Sequence, residues 1–144
     1  MSASTITLSR QVPVPADRAY RAWVEPEELS GWWWPQWQDT RYDLEPREGA
    51  EFRIHSAEAG VGVTGVLTTV EESRLLTMTW LWINGEDTIV QDLVDVVEVR
   101  FTDNGEGSVV TVLHTSTEHE TDGGAEQGWN DVLDRLPTYL VEAR

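Results

Sequence analysis

Leu75-Leu76-Thr77-Met78-Thr79-Trp80-Leu81-Trp82 alternates its largest side chains with a period of two. Leu76, Met78, Trp80 and Trp82 share one face of an extended chain, and Leu75, Thr77, Thr79 and Leu81 share the other. A helix would scatter these residues around its circumference, so the segment predicts a strand. A face with a methionine and two tryptophans suits the wall of an apolar cavity and equally suits ordinary core packing.

Working outward, residues 51–56, 61–70, 93–102 and 108–115 are similarly rich in β-branched or aromatic residues. Breaks such as Glu72-Ser73, Asn84-Gly85-Glu86-Asp87 and Asp103-Asn104-Gly105-Glu106-Gly107 separate them, which predicts an antiparallel meander. Upstream, residues 5–12 alternate as a first strand, and Pro13-Val14-Pro15 stops it. Ala16, Ala19, Tyr20 and Trp23 then form one stripe of a helix over 16–24, and Pro26 opens a second short helix ending near Gly31. Residues 33–50 read as a long connection, a class of loop that is often functional. Downstream, Trp129, Val132, Leu133, Leu136 and Leu140 make an apolar helical stripe, and Pro137 inside it predicts a kink or 3₁₀ break. The expected architecture is α+β: a curved antiparallel sheet of about six strands, two short helices after strand 1, and a long C-terminal helix. Residues 1–144 are expected to form a single domain.

These pieces, taken in order, resemble a known family. Arg10 with residues 13–23, Trp32-Trp33-Trp34-Pro35, Asp43 followed by Gly49-Ala50-Glu51-Phe52-Arg53, residues 73–80, the strand from Gly107 to His114, and Gly128-Trp129 with Leu133 and Leu136 carry the likeness. Together they are similar to the SRPBCC (START/birch-pollen-allergen-like) superfamily, in the branch named after the activator of the heat-shock-protein ATPase. The resemblance implies the helix-grip fold, a curved sheet wrapped around the C-terminal helix and enclosing a cavity. It also implies a hydrophobic ligand, since members commonly bind lipids or other apolar compounds. Ala50 departs from the pattern, standing where relatives carry a second glycine. The eukaryotic activator is longer by a domain, which weakens chaperone stimulation as an expectation here.

Composition narrows the chemistry. The formal net charge is −16, and all ten basic residues are arginine. Such a field repels phosphate backbones, so nucleic-acid binding is not expected, and the acidity reads first as a solvated surface. With no cysteine, disulfides and thiolate chemistry are excluded. The N-terminus does not resemble a signal peptide and no apolar run approaches a membrane span, so a cytoplasmic protein is expected. Without lysine there is no Schiff base and no phosphate-binding lysine. Gly60-Val61-Gly62-Val63-Thr64-Gly65 matches a dinucleotide fingerprint formally, but a strand follows it where a helix is required. Those glycines read better as letting a curved strand bend. No G-x-S-x-G elbow is present.

Four of the eight tryptophans lie at 32, 33, 34 and 37. Each removes roughly 200 Å² from water when fully buried, so the run must pack, line a cavity or meet a partner. Trp32 and Trp33 read as packing into the fold, and Trp34 and Trp37 as a lid over a cavity mouth. His55 and His114, near strand ends, read either as satisfied structural histidines or, with Arg53 or Tyr42, as the polar groups that orient a ligand. His119, between Glu118 and Glu120, reads as part of a solvated acidic loop, and Asp92 and Asp95 as solvent charges. The candidate ligand-binding set is Trp34, Trp37, Tyr42, Arg53, His55, Met78, Trp80, Trp82, His114 and Trp129. No metal or cofactor is expected, and no constellation specifies a reaction. The expected function is binding of a hydrophobic or aromatic small molecule, by a monomer or homodimer. The alternatives are a cyclase- or hydrolase-type enzyme using pocket His and Tyr groups, or a chaperone-related interaction domain.

Overall fold

The alternation read from residues 75–82 is realised: Leu76, Met78 and Trp80 are buried while Leu75, Thr77 and Thr79 are only half-buried. The computed structural model describes residues 4–85, 88–89, 94–116 and 123–143. Its elements are β1 (Ser4–Val12), α1 (Ala16–Val24), α2 (Pro26–Leu29), β2 (Arg41–Asp43), β3 (Glu51–Ser56), β4 (Val61–Glu71), β5 (Leu75–Asn84), β6 (Thr88–Ile89), β7 (Asp95–Asp103), β8 (Ser108–Ser116), α3 (Gly123–Leu133) and α4 (Arg135–Ala143). The strands form one antiparallel sheet in the order β1-β8-β7-β5-β4-β3-β2, with β6 added to β5. This is the helix-grip α+β fold. The expected strands are present, together with two short ones, β2 inside the long connection and β6 beyond β5.

Two backbone features bend the sheet. The β4–β5 register slips between Leu67 and Thr69. Nearby, β4 crosses β5 so closely at Gly65 that a Cβ there would lie 2.0 Å from the Thr79 carbonyl oxygen. Gly60 turns the chain into β4 with φ +69°, so the fingerprint-like glycines serve a turn and a close strand approach. The turn that enters β3 needs one left-handed residue, Gly49 at φ +87°, and Ala50 packs inward beside it.

The C-terminal stripe grips this concave surface: Trp129, Val132, Leu133, Leu136 and Leu140 are all buried in the same cluster as the sheet. The helix is interrupted at Asp134, three residues before Pro137. Proline cannot donate to the Leu133 carbonyl and its ring crowds that oxygen, so the helix restarts with Pro137 in the first turn of α4. Arg10 of β1 clamps the break, donating through Nε to Asp134 Oδ1 at 2.9 Å and through a terminal nitrogen to Asn130. Asp103 reaches across to accept from the Ala16 amide at 2.8 Å, supplying the N-terminal cap that Pro15 lacks. No helix among the described residues is long and apolar enough to cross a membrane.

Candidate functional site

All eight tryptophans belong to one continuous ring network between the sheet and α3. Trp23 from α1, Trp34 from the loop after α2, Trp80 from β5 and Trp129 from α3 all pack against Trp33. Trp32 joins through Trp23 and Trp33, Trp37 through Trp34, and Trp82 through Trp80. Ring centroids of directly packed pairs lie 5.0–6.3 Å apart, within the range of favourable edge and tilted contacts. Phe52 and Phe101 extend the network on either side.

The polar ends of these rings divide them sharply. Trp32 Nε1 donates to the Ala22 carbonyl at 3.0 Å. That carbonyl would otherwise look four residues on for an amide, and finds Pro26, which has none. Trp129 Nε1 donates to His114 Nδ1 at 2.8 Å. The indole N–H groups of Trp23, Trp33 and Trp80 are buried with no hydrogen-bond partner among the described residues. An unsatisfied buried donor costs about 1–3 kcal/mol, so three in one cluster demand a physical reason.

His114 and Asp95 form a sealed polar chain behind Trp129. They are 1% and 3% exposed, and His114 Nε2 lies 2.7 Å from Asp95 Oδ2. An indole can only donate, so Nδ1 of His114 is an acceptor and its proton sits on Nε2, directed at Asp95. Both ring nitrogens are therefore engaged, and neither is offered to a ligand. Asp95, expected as a solvent charge, is instead a buried residue of β7. Strand pairing puts it opposite Trp80, so it faces the core with the tryptophan wall. Asp92 and His119 lie outside the described residues.

Among the described residues two small voids lie within the network and a surface cleft adjoins the first of them. One void of about 20 Å³ is walled by Trp23, Trp33, Met78 and Trp80 with Phe52, Leu44, Val24 and other aliphatic side chains. A second, of about 40 Å³, lies under Trp34, Trp82, Gly128, Trp129 and Val132, and shares Trp33 and Trp80 with the first. Among the described residues neither wall carries a carboxylate, imidazole or hydroxyl, so what these residues offer is an apolar, water-excluding surface. The surface cleft, of about 640 Å³, lies where α1 and α2 meet the β2–β3 loop and the β4–β5 turn. Val24 and Leu44 line both this cleft and the first void.

The sequence-derived site residues divide accordingly. Met78, Trp80, Trp82, Trp34 and Trp129 converge on the two voids. Trp37, half-buried, packs on Trp34 at the edge of the cluster. Tyr42 anchors the tryptophan loop by donating its hydroxyl to the Trp33 carbonyl, and burial holds its phenol above the usual tyrosine range. His114 supports Trp129 from behind. Arg53 and His55 are not brought together with these residues. They alternate with the inward Phe52, Ile54 and Ser56 on β3, and His55 Nε2 meets the Gly85 carbonyl at 2.7 Å. Trp23 and Trp33 were missed as wall residues because their helical and loop context reads as packing. Among the described residues no cluster of His, Asp or Glu could hold a metal ion.

Backbone strain marks the same loop. Trp34 adopts φ +53°, a left-handed conformation that costs a bulky residue about 1–3 kcal/mol, and it directly precedes Pro35. Its ring is nonetheless buried between Trp33 and Trp37.

Residues 13–141 match the family model described as Activator of Hsp90 ATPase homolog 1-like protein. Among solved structures, protein MLL2253 from Mesorhizobium loti is similar at 23% identity, over 97% of this chain and 98% of that one, with a TM-score of 0.78. A protein from Rhizobium leguminosarum is similar at 22% identity, over 98% and 96% of the two chains, with a TM-score of 0.81. DynU16, a protein in the dynemicin biosynthetic locus, is similar at 19% identity with a TM-score of 0.79. The likeness covers 98% of this chain and 48% of DynU16. No curated protein matches.

Proposed function

The chain belongs to the family of the Activator of Hsp90 ATPase homolog 1-like protein, within the SRPBCC superfamily, and from that premise we propose that it binds a hydrophobic, preferably aromatic, small molecule between its sheet and α3. The fold generally binds hydrophobic ligands. The observation that carries the reading for this chain is the set of unpartnered indoles. The voids are far smaller than the ~300–1,000 Å³ of a ligand pocket, so a guest needs a side chain to move aside. Trp33 and Trp80 stand in the wall between the two voids, and neither ring breaks a hydrogen bond when it turns. Trp32 and Trp129, by contrast, are pinned. A bound aromatic face would also give the free N–H groups an acceptor.

The binding wall in this reading is Trp33, Met78, Trp80, Trp82 and Trp129, with Trp34 as its movable outer edge. The test is titration with neutral aromatics (naphthalene, aryl ketones, phenylbutanol), followed by tryptophan emission, native mass spectrometry and thermal melting. A one-to-one complex that shifts the emission and raises Tm is expected. If no compound carries over in the mass spectrum or moves the melt, the proposal is wrong.

A further inference from the structure

The surface cleft has a chemistry distinct from the voids behind it. Tyr20 lies in its wall and is 5% exposed, with its ring edge-on to Phe101 at 5.6 Å. Its hydroxyl makes no hydrogen bond within the chain among the described residues, yet it is not sealed from solvent. The residue is thus a buried ring whose polar tip is left for something in the cleft. Burial, and secondarily the charge of Glu72, holds this phenol above the usual tyrosine range, so it stays un-ionised and can accept a hydrogen bond from a cation. Around it stand the exposed carboxylates of Asp17, Glu25 and Glu72 against the single guanidinium of Arg21. The C-terminal turn of α1 ends at the same place, and the carbonyl end of a helix favours positive charge. The net charge of −16 adds to the field.

We propose that this cleft is the head-group site of the ligand, and that the ligand is a cationic amphiphile. Its amine rests on Tyr20 and the carboxylates, and its apolar or aromatic tail passes between Val24 and Leu44 into the tryptophan-walled space. The assignment rests on the binding function proposed above and specifies its substrate class and point of entry. Val24 and Leu44 form the shared wall between cleft and void, and Leu44 is a half-buried residue on a loop, free of the sheet's ladder. An anionic head group is disfavoured at the same spot, because three carboxylates outnumber one arginine.

The experiment compares phenylbutylamine, phenylbutanol and phenylbutyrate by calorimetry at fixed ionic strength. The amine is expected to bind about tenfold more tightly than the alcohol, and the acid more weakly than either. The double variant Glu25→Gln/Glu72→Gln, at exposed positions, lowers the amine's affinity most of the way to that of the alcohol, and separately Tyr20→Phe weakens the amine and narrows its lead over the alcohol. Glu106→Gln, on the β7–β8 turn, leaves the preference intact. Should Tyr20→Phe fail to fold, the glutamine pair decides. Equal binding of amine and alcohol, or a preference that survives the glutamine pair, overturns the cleft assignment while the binding function stands. If none of the three compounds binds while the neutral aromatic panel does, the head-group site alone falls; if the panel fails as well, the binding function falls with it.

Discussion

Trp32 and Trp33 are neighbours in sequence, their rings touch at 5.6 Å, and both are essentially buried, yet they belong to different regions. Trp32 sits by the junction of α1, α2 and α4, and its own polar tip is partnered there. Its N–H replaces the amide that Pro26 lacks, Arg18 grips Glu28 through two 3.0 Å bonds, and Tyr139 donates to the same carboxylate. A Cβ on Gly31 would lie 2.3 Å from the Tyr139 ring, so a larger residue there would have to push that ring aside. Trp33 sits in the centre, its backbone anchored by Tyr42 and Leu29 but its ring packed with a donor that no described residue accepts. The lesson is that apolar packing and polar satisfaction are separable. On Trp32 the two coincide, whereas the rings of Trp33 and Trp80 are packed with N–H groups unpartnered among the described residues, beside a Trp129 that is hydrogen-bonded to His114.

The largest effect expected from this contrast is on Trp33→Ala. Removing the ring on which Trp23, Trp34, Trp80 and Trp129 converge costs about 3–5 kcal/mol, measured by denaturant unfolding. A loss below about 1 kcal/mol would mean that the centre is already a loose cavity, and the contrast with the junction would collapse.

A finer test sets the two regions against each other with the same substitution. Trp32→Phe leaves the buried Ala22 carbonyl without a donor, while Trp80→Phe removes a donor that had no partner. Both lose similar ring volume, so the excess cost at Trp32 isolates the hydrogen bond, about 1–2 kcal/mol. Equal losses at the two positions would show that the partnered and unpartnered indoles are energetically alike, which is the outcome that breaks the comparison.

Much of this was legible in the sequence, for reasons that differ by region. The period-two pattern of 75–82 located the wall on Leu76, Met78 and Trp80, because a one-residue error would have put it on the opposite face. The stripe from Trp129 to Leu140 located the gripping helix, and Pro137 announced its interruption, although the break falls at Asp134. What periodicity could not supply was pairing across distant segments. Asp95 looked like a surface charge until β7 placed it beside His114 of β8, whereas the parity that sets Arg53 and His55 opposite the inward Phe52 and Ile54 is local to β3. Strand β2 was invisible because three residues show no period, and its existence depends on the edge of β3. Which indoles are satisfied is not a property of local sequence at all, since Trp32 and Trp33 occupy the same local motif.

The smallest expected effect lies at the far end of the tryptophan loop, on the bonds that tether it to the β3–β4 turn. Asp39 accepts from the Glu58 amide at 2.9 Å and from Ser56 Oγ at 2.8 Å, joining the loop to the β3–β4 turn. Those bonds, the Glu58 amide foremost, hold its carboxyl below the usual aspartate range. The folded form therefore binds this proton less readily than the unfolded chain does. The tether's contribution is complete above the ordinary carboxylate range and is lost as pH falls through the depressed value. Asp39→Asn should lower Tm slightly at neutral pH and leave it matching the parent in strong acid, where both side chains are neutral. Because the group is fully exposed the shift is modest, and the binding assay is the more sensitive readout. A freed loop should admit a neutral aromatic faster without changing the junction. If Asp39→Asn alters the melt equally at both pH extremes, Asp39 is not the tether, and the loop is held instead by its ring contacts and by the bonds of Thr40 and Tyr42 to the Trp37 and Trp33 carbonyls.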